Sequence, residues 1–97
     1  MLAHFKLESA RAALSAGLFT EAMKSLTEVF ALKGVSERNR TKSIAITADL
    51  SMRRQDWKLA KLAAERVINS SGADDEDRDS CKDALKTLHQ YHPGLFQ

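Results

Sequence analysis

Apolar residues recur along this chain at intervals of three and four, the spacing that gathers side chains on one face of an α-helix. Five stretches carry the pattern. The first runs from about Leu2 to Ala16, and Phe5, Ser9, Ala12, Ala13 and Ala16 form its expected inward stripe. Gly17 is expected to end it, because glycine accepts the left-handed conformation that follows many helices. The second stretch is the clearest, with Phe19, Ala22, Met23, Leu26, Val29 and Phe30 in register; Thr20 can cap or join its start, and Gly34 closes it.

Ser36 is placed to cap a third helix from about Glu37 to Arg54. At roughly 100° per residue, Ile44, Ala48 and Met52 fall on one side and Ile46 and Leu50 nearly opposite. A helix apolar on two sides lies between neighbours, so this one is expected at the centre. Asp56 can cap a fourth helix carrying Trp57, Ala60, Ala63, Ala64, Val67 and Ile68, whose alanines invite close approach of another helix. The acidic run from Asp74 to Asp79 suits the positive start of a fifth helix. Cys81, Ala84, Leu85, Leu88 and Tyr91 supply its stripe, and Pro93-Gly94 stops it ahead of a short apolar tail, Leu95-Phe96.

The pattern therefore predicts an all-α fold of about five antiparallel helices in a single domain over residues 1–97. Few breakers interrupt it, with one proline and four glycines in 97 residues. No apolar run reaches the ~20 residues needed to span a bilayer, and the start lacks the layout of a signal peptide. One cysteine cannot close an internal disulfide, which fits a reducing compartment. An intracellular, cytoplasmic setting is the expectation.

Charge adds a gradient. The net of +2 divides into a balanced first third, a middle segment 33–66 that is strongly basic, and an acidic segment 67–97. Such a field steers partners without naming them.

The chain also repeats itself. Gly17-Leu18-Phe19-Thr20-Glu21-Ala22, followed by Leu26 and Val29-Phe30, parallels Gln55-Asp56-Trp57-Lys58-Leu59-Ala60, followed by Ala64 and Val67-Ile68, at an offset of 38. An aromatic residue plugs each hairpin and an alanine three positions later lets the helices touch. Over residues 5–70 these positions resemble the tetratricopeptide family of helical hairpins. The resemblance implies two hairpins with a C-terminal capping helix, and peptide or protein partners held on a concave surface. A second resemblance runs from Leu32-Lys33-Gly34-Val35-Ser36 through Arg54-Gln55-Asp56-Trp57-Lys58-Leu59-Ala60 to Val67-Ile68. It is to the C-terminal helical domain shared by the outer-coat protein of COPII vesicles and the steroid receptor RNA activator protein, and it implies a closed bundle of about five helices.

Candidate chemistry is sparse. His89 and His92, three apart, make half a metal site at most, and ordinary polar histidines at a helix end account for them. The run Asp75 to Asp79 opens like a calcium loop, but Ser80 stands where glycine is needed and Lys86 where glutamate is needed. Cys81 lies in an apolar stripe with no base beside it and reads as buried filler. Trp57 reads as core. A nucleophile, base and orienting group never occur together, so neither enzymatic activity nor a cofactor or metal is expected.

What remains is a cationic surface. Arg38, Lys42 and Arg53 fall on one side of the third helix, and Lys58 and Lys61 follow on the fourth. The leading expectation is a non-enzymatic adaptor or scaffold module that binds another protein or peptide, acidic in character, through a helical groove or this basic face. Two alternatives use other chemistry. One is a nucleic-acid-binding helical domain that uses the basic segment 38–66. The other is a structural unit, coat-like or homodimeric, that associates through Leu95, Phe96 and exposed helix faces.

Overall fold

A computed structural model describes residues 2–97 of the chain. Its helices are α1 (Leu2–Ser15), α2 (Phe19–Ala31), α3 (Glu37–Arg53), α4 (Trp57–Ile68) and α5 (Asp75–Tyr91), followed by a 3-10 turn at Pro93–Phe96. No strand occurs among the described residues. No described helix is long and apolar enough to cross a membrane.

Helix α3 touches all four other helices, as its two apolar sides require. Ile46 and Leu50 turn toward α1 and α2, where they meet Leu7, Leu14, Leu26 and Val29 in one core. Ala48 turns the other way, into a second core with Ala63, Ala64, Val67, Ala73 and Cys81. Each fully buried leucine or valine contributes about 1.5–3 kcal/mol through removal from water, so the two clusters hold the bundle from both sides of α3.

Helix α3 is nonetheless rich in hydroxyls. Ser43, Thr47 and Ser51 each donate to a backbone carbonyl one turn back, at 2.6, 2.8 and 2.8 Å. Their polar atoms are satisfied within the helix, so Ser43 and Ser51 are buried as small residues. No buried side-chain polar atom among the described residues lacks a partner.

The repeat seen in the sequence is a repeat of structure. Helices α3 and α5 both span 17 residues and begin 38 positions apart. Their caps match: the side chain of Ser36 accepts from the Asn39 amide and that of Asp74 from the Asp77 amide. The hairpin turns match too. The Leu18 amide donates to the Ala13 carbonyl at 2.8 Å and the Asp56 amide to the Ser51 carbonyl at 2.9 Å. Buried Ala22, Val29 and Leu50 have buried counterparts in Ala60, Val67 and Leu88. The chain is thus two equivalent hairpins and a fifth helix that repeats the first helix of a hairpin.

One local expectation is corrected. In α1 the inward residues are Leu7, Ala10 and Leu14, whereas Phe5, Ala12 and Ala16 are exposed. Alanines lie on both sides of this helix, so spacing alone could not choose the face; the larger leucines decide it, because they remove more surface from water. Thr20 joins the first turn of α2, as one of its two expected roles, and the cap position is Leu18, with no side-chain hydrogen bond. There the hairpin turn holds the helix end instead.

The acidic start of α5 docks on the basic start of α3. Lys42 Nζ lies 3.1 Å from Asp74 and 2.7 Å from Asp77, and Arg38 approaches Asp74 at 3.5 Å. Part of the charge gradient along the sequence therefore closes on itself. Lys6 pairs similarly with Glu28 between α1 and α2.

Candidate docking groove

Helices α2 and α4 both lie on α3, but among the described residues they come nowhere within 8 Å of each other, Cα to Cα. A groove of about 1160 Å³ opens between them. The end of α2 gives one wall through Phe30, and Leu59, Leu62, Ala63 and Arg66 of α4 give the other. Arg40, Thr41, Ile44 and Thr47 of α3 form the floor, and Glu37, Asn69, Ser70 and Ser71 close one end.

The helical period explains which residues arrive there. Ala60, Ala64 and Val67 take the inward face of α4, which leaves Leu59, Leu62 and Arg66, spaced three and four apart, on a neighbouring face. The result is an apolar wall in contact with water: Phe30 is 51 % exposed, Leu59 39 % and Leu62 63 %. Single exposed apolar residues are commonplace, whereas these three gather around one concavity.

The polar atoms at the closed end are organised. Thr41 Oγ1 and Ser70 Oγ share a hydrogen bond at 2.7 Å, and the Gly72 amide donates to Ser70 Oγ at 3.1 Å. Ser70 also reaches Glu37 at 3.4 Å. Arg40 donates through Nε to the Val35 carbonyl at 3.3 Å. Neither Arg40 nor Arg66 forms an ion pair with a described carboxylate. Helices α3 and α4 are antiparallel, so these two guanidiniums lie toward the same end, where α3 begins and α4 finishes.

The five cations singled out from the sequence stand elsewhere; none lines this groove. Arg38 and Lys42 hold the start of α5. Burial works to lower the Lys42 pKa, but hydrogen bonds to Asp77 and Asp74 outweigh it, and the pKa is raised. Arg53 pairs with Asp49 at 3.2 Å, and Lys61 with Glu65 at 3.0 Å. Lys61 also stands over the Phe96 ring, 5.1 Å from its centroid. Lys58 is exposed and, alone of the five, forms no ion pair among the described residues. The stripe is therefore dispersed over several contacts of the chain with itself.

The remaining candidates also make intramolecular contacts. The His92 ring stacks on half-buried Trp57 at 4.5 Å, and His89 tilts against Phe96 at 5.0 Å. Leu95 and Phe96 fold back in the 3-10 turn and are half-buried. Cys81 is buried beneath α3 and α4.

The groove itself was not read from the sequence. Phe30 looks like part of an inward stripe, and Leu59, Leu62 and Arg66 look like scattered surface. The available signal was their three-and-four spacing beside an already complete alanine face. Fold and groove together define an all-α bundle with an apolar, cation-bearing concavity. Comparison with family models, curated proteins and solved structures found no match.

Proposed function

We propose that this chain is a non-enzymatic interaction module, built of tetratricopeptide-like hairpins, that docks a partner protein in the groove between α2 and α4. The observation that carries this reading is the clustering of exposed Phe30, Leu59 and Leu62 around one concavity that also bears two unpaired arginines. Apolar contact supplies the affinity in such a site, and the arginines supply orientation and selectivity.

The alternative of a nucleic-acid surface has less support. Four of the five cations on the basic stripe already meet carboxylates of the chain itself, and those carboxylates would oppose phosphates.

The test compares proteins captured from the source cells by the native chain, by Leu62→Glu and by the control Lys86→Glu on exposed α5, each checked for native helicity. A set held by the native chain and the control but lost with Leu62→Glu supports the reading. Equal capture by all three would refute it. So would binding of RNA or duplex DNA that weakens steeply with salt and is unaffected by Leu62→Glu.

A further inference from the structure

Resting on that reading of the groove, we infer that its occupant is an amphipathic α-helix of the partner, apolar on one face and carrying carboxylates at the end that meets Arg40 and Arg66. Three observations lead there. The first is shape. Two helices that sit on a common floor without touching leave the place of a missing helix. A helix with its side chains is about 10–12 Å across and advances 5.4 Å per turn, displacing roughly 500 Å³ per turn. A groove of about 1160 Å³ therefore accepts about two turns.

The second observation concerns backbone chemistry. The described chain has no strand, so no sheet edge is present to pair with an extended peptide. A peptide entering between helices must satisfy its own amides and carbonyls, which a helix does internally. The apolar side chains of the walls meet its stripe at one-turn spacing, Leu59 and Leu62 on one side and Phe30 on the other.

The third is charge. Apart from Lys58, every other cation of α3 and α4 pairs with a carboxylate, whereas Arg40 and Arg66 form no ion pair among the described residues and lie toward the same end of the groove. Glu37 is the one acid of the lining, and it faces Ser70. Guanidinium groups bind carboxylates in paired hydrogen bonds, so acids on the incoming helix match this end and fix its direction.

A displayed library of short peptides, randomised without helical bias, is selected on the full chain with counter-selection on Leu62→Glu. The expected winners show apolar residues at positions i, i+3 or i+4, and i+7, with Asp or Glu grouped at one end. In synthetic form they become helical on binding and lose at least tenfold in affinity for the Arg40→Glu, Arg66→Glu double variant. Exchanging their acids for lysine recovers binding to that variant. Winners that contain central proline, that lack acids, or that ignore the charge reversal would overturn the inference, as would the absence of enrichment. Should cellular capture still depend on Leu62 in any of those cases, the docking reading stands and only the identity of the occupant falls.

Discussion

Gln55 occupies the left-handed backbone conformation, φ 62°, that Gly17 takes at 77° in the equivalent turn of the preceding hairpin. Both residues receive the same hydrogen-bonding frame: the Gly17 amide donates to the Leu14 carbonyl at 3.0 Å and the Gln55 amide to the Met52 carbonyl at 3.2 Å. This is the αL ending of a helix, which glycine adopts without steric cost and glutamine does not. Gln55→Gly is expected to stabilise the fold by about 0.5–1 kcal/mol, since relief of the left-handed conformation exceeds the added entropy of the unfolded chain. Gly17→Ala is expected to destabilise it by about 1 kcal/mol. Urea unfolding of the two variants should move the midpoint in opposite directions, and a shift of the same sign in both would contradict the equivalence of the turns.

Gly72 is required for a different reason. Its backbone is not left-handed, but a Cβ placed there would lie 2.6 Å from the Glu37 carbonyl oxygen and 2.8 Å from Thr41 Oγ1. Backbone cannot yield as a flexible side chain can, so the loop after α4 must move away from the start of α3. Gly72→Ala should cost about 1–3 kcal/mol, the range of overpacked sites. At Gly94 an added methyl group meets nothing within 4 Å, and Gly94→Ala should leave the thermal midpoint within about 2 °C of the native value. A small effect at Gly72 would show that the approach of the two segments is looser than the fold requires.

The clasp at Lys42 makes stability depend on pH. A backbone hydrogen bond from Asp77, aided by Lys42, lowers the Asp74 pKa, and the carboxylates raise that of Lys42. A depressed carboxylate stabilises the fold above its unfolded pKa near 3.8, and that contribution is lost as pH falls through the folded value. A raised ammonium stabilises it below 10.5, and that contribution is lost as pH climbs through the folded value. The clasp is thus intact between about pH 4 and 10.5. Lys42→Met leaves largely buried Asp77 without its partner and is expected to cost about 1–3 kcal/mol at pH 7, less than a fully buried pair. Denaturation at pH 7 and at pH 3 should show this difference shrinking as Asp74 takes up a proton in the unfolded chain below about 3.8; an equal difference at both would exclude the ion pair as its source.

Much of this architecture is legible in the residues. Ser36 and Asp56 cap the helices they precede, and the divided apolar pattern of α3 places it between two cores. These are local signals, set by one helix and its period. The groove is of another kind, because it is a gap between helices that do not touch. It depends on how far α2 and α4 splay over α3, a quantity that no single periodicity encodes. The contacts of the cations are hidden for a related reason: Lys42 and Asp77 lie 35 positions apart, and only packing brings them to 2.7 Å. Phe5 shows the limit within a single helix, where abundant alanine leaves two faces nearly equivalent.

Cys81 provides a test of the second core. Its side chain is 3 % exposed, and its thiol is pushed up to about 11, first by burial and then by the negative charge of Asp77. At pH 8 the thiolate is scarce and shielded, so iodoacetamide should react at least tenfold more slowly than with an unstructured cysteine, and unfolding in urea should restore the rate. The same shift gives a sign at alkaline pH. Between the ordinary thiol value near 9 and about 11, the unfolded chain releases a proton that the folded chain keeps. The folded state then binds more protons, and stability falls as pH rises through that window. Cys81→Ala removes this titration, so its stability should decline less than that of the native chain between pH 9 and 11, while its pH 7 value is lowered by loss of the packed sulfur. Rapid alkylation of the native chain, or parallel decline in both proteins, would place Cys81 outside the core that joins α3, α4 and α5.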